Sequence, residues 1–541
     1  MARSAINLEK NKYDRQIRLW KTHGQLSLEK SRVCLLEGTA IGAEILKNLI
    51  LPGIGSYLIV DNSFVTETDV KTSFFLNIDS LNKAKAPQMC KLLQQLNNDV
   101  KGEYLISTLE SILEHNPTFF KQFDIVITSI FDETFLLKLE KNLWELNIPL
   151  IIVYSIGFIG YLRIAIPEHT IEETHQEGIE DLRIDCPWPE LKALASKFQL
   201  KNIKSDHYPQ LPYVLVLLNC IDIWKLENRE TLPYTYKEKE QFKEIIRSYM
   251  KGFDEKSIKE VLSVAWKASY VTSIPEDIQS ILKDDKCLYL SSESSEFWIL
   301  CRAISNYIST EGNGLLPLSG TLPDMRSDSE IYIQLKNIYY QKAQKDYECV
   351  RRCVQNILMS INQPISKISD KKIKLFCKQS RYIKVLRYRS LEQEYKYPNL
   401  DLIKSSFSVP DTLIIWYIAL RTYNKYRNIF GKYAGSEETA LDDDTKKYIQ
   451  LTKNFLSELD CNITDLQMMA CKELIRTGGE VLNNTISFIG GIAAQEAIKE
   501  LSLNNTSQLT ILTYLMEFQV EVRPGSSSLK SFVGIIFLKN I

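Results

Sequence analysis

The stretch Val33–Asp61, VCLLEGTAIGAEILKNLILPGIGSYLIVD, constrains the fold of this chain more than any other. Val33–Leu36 is a short apolar run suited to a strand buried on both faces. Gly38 and Gly42 bracket a turn into a helix whose Ile45, Leu46, Leu49 and Ile50 share one side. Pro52 stops that helix, and Gly53 and Gly55 permit the backbone to reverse. A second strand, Tyr57–Val60, ends on Asp61, about twenty residues past the glycine turn. This is the βαβ opening of a nucleotide-binding sheet.

The glycine turn is defective. A G-x-G-x-x-G turn ending at Gly42 would place glycine at 37 and 39, whereas Glu occupies 37 and the turn reads Gly-Thr-Ala-Ile-Gly. Glu37 would set a carboxylate where a phosphate approaches backbone N–H groups, and Thr39 adds bulk at the closest point. The expectation is a nucleotide fold that binds no nucleotide of its own.

The alternation continues with a helix over Lys83–Leu96, strands at Tyr104–Ile106, Asp124–Thr128 and Pro149–Val153, and a helix over Thr134–Leu146. Gly157–Pro167 alternates as an added antiparallel strand would. Residues 1–167 therefore read as α/β, with a doubly wound sheet. Residues 168–400 change character to helices and polar loops, among them Pro212–Lys225, Tyr236–Met250 and Tyr332–Ile361. They read as a large, mostly helical insertion. Residues 401–503 return to the sheet domain through buried helices at Thr412–Tyr426 and Phe488–Leu501, the second with a Gly-Gly entry. Residues 504–541 form a divergent tail with β-like runs, LTILTYL and FVGIIFL.

Charge and cysteine usage exclude several classes. With 66 basic and 67 acidic residues, net −1, nothing marks a global nucleic-acid footprint. The eleven cysteines include no C-x-x-C pair, which argues against a zinc site and for free thiols in a reducing compartment. The first residues carry no apolar signal core, and the longest apolar runs, Val214–Leu218 and Leu413–Leu420, cannot span a bilayer. A soluble cytoplasmic or nuclear protein is expected, with no membrane or nucleic-acid partner. His23, His115, His169, His175 and His207 are scattered and read as surface residues.

Several motifs in a fixed order carry a resemblance. They are Tyr13-Asp-Arg-Gln-Ile17, Leu46-Lys-Asn-Leu-Ile-Leu-Pro-Gly-Ile-Gly55, Ile59-Val-Asp61, Lys83-Ala-Lys-Ala86 and Gly490-Gly-Ile-Ala-Ala-Gln-Glu-Ala-Ile-Lys499. On these the chain resembles the adenylation-fold family of ubiquitin-like-protein activating enzymes, related to bacterial ThiF and MoeB. Asp181-Leu-Arg-Ile-Asp185, Pro187-Trp-Pro-Glu-Leu191, Thr235-Tyr-Lys-Glu-Lys-Glu240 and Gly320-Thr-Leu-Pro-Asp-Met325 narrow it. They are similar to the non-catalytic, regulatory subunits of heterodimeric neddylation-activating enzymes. The implied fold is a Rossmann-like, ThiF-type adenylation domain interrupted by the insertion.

The resemblance implies that a working member binds ATP and Mg²⁺ on the glycine turn and adenylates the C-terminus of a modifier. A cysteine of the insertion then takes the acyl group as a thioester. In this chain Glu37, Gly38, Gly42, Asp61 and Lys83 stand as remnants of the nucleotide site. Asp61 and Lys83 match ribose and phosphate residues, or persist as a cap and a surface charge. The family's Asn-x-x-Arg-Gln segment has become Thr72-Ser73-Phe74, and Ser129-Ile-Phe-Asp132 offers no clean match to the metal-binding Asp. None of Cys186, Cys220, Cys287, Cys301, Cys349, Cys353 and Cys377 lies in the nucleophile's Pro- and Thr-containing context. Arg15 is the exception: in this family the equivalent arginine reaches across the dimer to the partner's nucleotide.

The implied role is a silent subunit with no metal or cofactor in cis. It would pair with a catalytic subunit holding ATP and Mg²⁺ and help form the groove for a Nedd-type modifier, with the cognate conjugating enzyme a further partner. The alternatives are a self-sufficient homodimeric adenylating enzyme and an adaptor that only binds proteins.

Overall fold

A computed structural model of the chain describes residues 12–130, 132–172, 180–198, 210–407, 409, 412–503, and the short strands 518–519, 532–533 and 535–538. The chain divides into two compact units, Met1–Ile171 with Val385–Ile541, and Glu172–Lys384. The helical unit is thus shorter at both ends than the 168–400 read from composition.

The first unit is built on a sheet. Its strands are β1 (Arg32–Leu36), β2 (Ser56–Val60), β3 (Lys101–Leu105), β4 (Ile125–Thr128), β5 (Leu150–Ile156) and β6 (Ile159–Ala165). Three short strands, β7 (Glu168–Ile171), β8 (Lys384–Arg387) and the two-residue β9 (Phe518–Gln519), follow. The last are β10 (Phe532–Val533) and β11 (Ile535–Leu538). The main sheet runs β11-β6-β5-β4-β1-β2-β3. Strands β1 to β5 are parallel, β6 is antiparallel to β5, and β11 is parallel to β6. The doubly wound sheet and its antiparallel addition are as the sequence predicts, whereas the parallel pairing of Ile535–Leu538, within the FVGIIFL run, is not. The LTILTYL run lies outside the described residues.

Strand alternation explains the two faces. Val33 and Leu35 of β1 join Tyr57 and Ile59 of β2 in one core, while Cys34 and Leu36 join Leu58 and Val60 in the other. The helices Ala40–Ile50, Lys85–Leu93 and Asn483–Leu503 cover the first face. Glu133–Glu145, Ile414–Phe430 and Asp465–Thr477 cover the second. Both faces being dry, the strands read as continuous apolar runs. The open edge at β3 is blunted by Gln94, which accepts from Gly102 N at 2.7 Å and donates to Val100 O at 2.5 Å.

Gly490 and Gly491 do not open their helix; they lie inside Asn483–Leu503. A Cβ at Gly490 would sit 2.9 Å from the Glu44 Cβ, so that glycine lets this helix lie directly on Ala40–Ile50. Close packing, not a helix entry, explains Gly490, whereas a Cβ on Gly491 would meet only Asn48 at 4.0 Å.

The second unit is helical. Leu215, Leu217 and Trp224 of the Tyr213–Glu227 helix anchor a core with Phe242, Ile246 and Leu335. Phe297 of Glu296–Ser309 meets Phe376 of Asp370–Gln379 edge to face at 5.8 Å. No helix among the described residues is long and apolar enough to cross a membrane.

In the first unit the chain's return to the sheet is fixed by a buried ion pair. Arg163 of β6 donates from Nε to Glu394 at 2.9 Å, and its other nitrogens reach the carbonyls of Ile164 and Arg389. Tyr417 Oη donates to the second Glu394 oxygen at 2.6 Å. Each guanidinium nitrogen and each carboxylate oxygen has a partner, which is what makes burying the pair tolerable. Glu394→Ala strands the guanidinium and is expected to cost about 3–5 kcal/mol in urea unfolding of the full chain, with Arg163→Met/Glu394→Leu costing less.

Candidate functional site

In doubly wound sheets ligands sit at the carboxyl ends of the strands where the winding reverses. Here that place lies between β1 and β4, beside the end of β2. Three segments meet there: Glu37–Thr39 after β1, Asp61 after β2 and Ser129 after β4.

Asp61 holds the turn shut. It is buried, and its Oδ2 accepts from Gly38 N at 2.7 Å while its Oδ1 accepts from Ser63 N at 2.7 Å. The amide that would face a phosphate is already taken by a carboxylate. Thr39 accepts from Gly42 N and caps the Ala40–Ile50 helix. Its hydroxyl also lies 2.7 Å from that of Ser129, joining the ends of β1 and β4 across the reversal. A Cβ on Gly42 would meet Leu35 at 2.8 Å, so this glycine serves helix–strand packing.

Glu37 has φ +66, a left-handed conformation that glycine adopts freely and other residues at a cost of about 1–2 kcal/mol. Its N–H donates to Val60 O at 2.9 Å. Its carboxyl is pushed up to about 7, by burial first and by Asp61 second, with Lys85 and Arg427 partly opposing. An approaching phosphate would meet two carboxyl groups and no free Gly38 amide.

Lys83 is not at this turn. Its side chain is exposed and its backbone closes the preceding loop onto Ser80 and Val65. The lysine that lies there is Lys85, whose Cδ is 3.4 Å from the Cβ position of Gly38 and whose ammonium pairs with Asp69 at 3.0 Å. The Lys83-Ala-Lys85 spacing holds both candidates, and the helix start at Lys85 decides between them. Asp132 caps the Glu133–Glu145 helix through Phe135 N at 2.8 Å and accepts from Asn428. It serves as a cap at this end of β4. Among the described residues no group of three or more His, Cys, Asp or Glu could hold a metal ion.

Arg15 lies elsewhere, on the Asp14–Leu28 helix. That helix is pinned to the Leu51–Gly55 turn. Tyr13 is buried over Gly53 and accepts from Asn97 at 3.0 Å, while Trp20 donates to Gln25, which donates to Pro52 O at 3.0 Å. Gly53 has φ +88, and a Cβ there would lie 2.6 Å from the Tyr13 hydroxyl. On this fixed helix Arg18 pairs with Asp14 at 2.6 Å, whereas Arg15 is exposed and carries no ion pair among the described residues. A rigid support thus presents an unneutralised guanidinium to solvent.

Most thiols of the insertion are shielded from solvent, and Cys349 accepts from the Arg352 guanidinium at 3.1 Å. Cys220, Cys287, Cys301 and Cys377 are buried, and Cys349 and Cys353 are half-buried. Cys186 is exposed, but partial desolvation and the adjacent Asp185 carboxylate push it up to about 11. Of the histidines, His115 is exposed as expected. His169 is not: it is buried and its Nδ1 lies 2.9 Å from Glu500. The His23 side chain and residues His175 and His207 lie outside the described residues.

Comparison with known proteins shows what the chain is similar to. The sequence profile of the ThiF family matches residues 13–524. A NEDD8-activating enzyme E1 regulatory subunit of Xenopus laevis is 39% identical over 515 residues, covering 93% of this chain and 96% of its own. A protein of the same description from Gallus gallus is 36% identical, covering 92% and 96%. The Arabidopsis thaliana protein described as NEDD8-activating enzyme E1 regulatory subunit AXL is also 36% identical, covering 91% and 94%.

Glu37 sets a pH dependence. Its folded pKa, about 7, exceeds its ordinary value of 4.5, so the folded state binds the extra proton between those limits. Stability from this group is full below about pH 4.5, falls as pH rises towards 7 and is lost above it. Glu37→Gln should remove the fall, exceeding the wild type by on the order of 2 kcal/mol at pH 8 and converging with it towards pH 5. Chemical unfolding at the two pH values checks this; parallel profiles would show that Glu37 ionises without penalty.

Proposed function

The chain belongs to the ThiF family, among the NEDD8-activating enzyme E1 regulatory subunits, and from that premise we propose that it is the non-catalytic half of a heterodimeric activating enzyme. A catalytic subunit is its partner and a NEDD8-type modifier its cargo; the cognate conjugating enzyme is a further partner. This chain holds no nucleotide of its own and sends Arg15 into the partner's ATP site, while its helical unit forms part of the groove that receives the modifier.

The observation that carries the reading is the occupied glycine turn, with Asp61 on the Gly38 amide and the Glu37 carboxyl beside it. A chain so built gains nothing from phosphate in cis, yet it keeps an unpaired arginine on a fixed helix. When bound in the partner, ATP with Mg²⁺ supplies the adenylyl group and the pyrophosphate leaving group. Arg15 contributes charge. As the modifier's carboxylate attacks the α-phosphate, negative charge builds on the phosphate oxygens, and a guanidinium, always protonated and forked, spreads it. Its immobile base matters, because a donor already in place needs no reorganisation at the moment of reaction.

ATP–pyrophosphate exchange with the modifier present tests the assignment. The chain alone should be silent, and adding the catalytic subunit should give exchange. Arg15→Ala in the mixture should lower it on the order of 10²–10³-fold. Exchange by the chain alone would establish a self-sufficient enzyme. Full activity with Arg15→Ala would leave the chain a binding partner only.

A further inference from the structure

The helical unit carries a charged feature that adenylation chemistry does not use. Residues 367–384 contain Lys367, Lys371, Lys372, Lys374, Lys378, Arg381 and Lys384 against a single acid, Asp370, in a chain of net charge −1. Asp370 is already paired with Arg351 at 2.8 Å. Lys372 is neutralised by Glu172 and Glu296, and Arg381 donates to the Ser273 carbonyl and to Tyr270. The remaining five lysines have no carboxylate within 4.0 Å among the described residues. Elsewhere the helices of this chain pair their lysines one turn away, as Lys243 with Glu240, Lys259 with Glu255, Lys396 with Glu392 and Lys447 with Asp443.

Helix geometry orders three of them. On Asp370–Gln379 the residues Ile373, Phe376 and Cys377 face the core. Lys371, Lys374 and Lys378 fall at i, i+3 and i+7 on the exposed side, spanning about 10 Å of helix axis. Lys374 donates to Gln344 at 3.0 Å and lies over the rings of Tyr340 and Tyr347 at 5.5 and 5.8 Å. Gln344 in turn donates to Glu348, also on the Ser329–Ser360 helix. The central ammonium is thus held in place, with Lys371 and Lys378 free on either side.

We propose that this face is a docking surface for an acidic helix of a partner protein, met by Lys371, Lys374 and Lys378. Carboxylates at the same i, i+3 or i+4, i+7 spacing on an opposing helix would match the stripe in length and sign. A protein is favoured over a nucleic acid because Lys374 already covers the two tyrosine rings on which bases would stack. Docking by such a stripe acts on encounter and register, and weakens as salt rises.

The test uses the full chain and a fluorescein-labelled, alanine-rich peptide of about 20 residues with glutamates at i, i+4 and i+7. Fluorescence anisotropy at low and at physiological salt reads binding. Lys371→Gln/Lys374→Gln/Lys378→Gln should weaken it about tenfold or more. Lys371→Arg/Lys374→Arg/Lys378→Arg should retain it, which separates lost charge from lost folding. Lys243→Gln/Lys259→Gln, taken from paired lysines, should leave it unchanged. The proposal is overturned if the peptide fails to bind or if the glutamine variant binds as well as the wild type. It is also overturned if a single-stranded oligonucleotide of equal charge binds as tightly through the same lysines, since the face would then accept any polyanion.

Discussion

The hydrogen bond from the Gly38 amide to Asp61 governs how the first unit is arranged around its strand ends. It ties the end of β1 to the end of β2, and the second Asp61 oxygen ties β2 to the loop that follows through Ser63. With Thr39 reaching Ser129 at the end of β4, three strands are closed by side chains at the place where a doubly wound sheet opens for a ligand. An amide has one proton to give. Given to Asp61 inside the protein, it is withheld from a phosphate unless the carboxylate leaves.

That closure divides the labour of the inherited motifs. Residues of the glycine turn have become structural: Gly42 for packing on Leu35, Thr39 as a cap, Asp61 as a clasp. The N-terminal motif divides differently. Tyr13 is consumed in fixing the helix over Gly53, and the same fixation leaves Arg15 exposed and unpaired. Removing the first anchor would cost the second its geometry, even though Arg15 makes no ion pair itself.

The β–α alternation was legible because both faces of the sheet are dry, so Val33–Leu36 and Ile125–Thr128 show as unbroken apolar runs. Arg15 and Glu37 were legible because each breaks or keeps a short motif. What escaped were features that depend on contact between distant segments. Nothing local says that Gly490 faces Glu44 rather than opening a helix. Nor does local sequence show that His169 is buried against Glu500. Lys83 and Lys85 differ by two positions, and only the observed helix start decides which side chain lies over the turn. The pairing of β11 with β6 joins residues far apart in the chain and had no local signal at all.

Glu37 is the one residue of the turn that packing does not explain. A left-handed φ costs about 1–2 kcal/mol with any side chain, and a carboxyl held near 7 adds a burial penalty at neutral pH. Among the described residues its carboxyl makes no hydrogen bond and no ion pair to set against either cost. Glycine at 37 would remove both. Local rules are broken in this way mainly where a site does something other than hold the fold together. At this turn a buried carboxyl stands beside Asp61, so two acidic side chains lie where a phosphate cradle of this shape offers free amides.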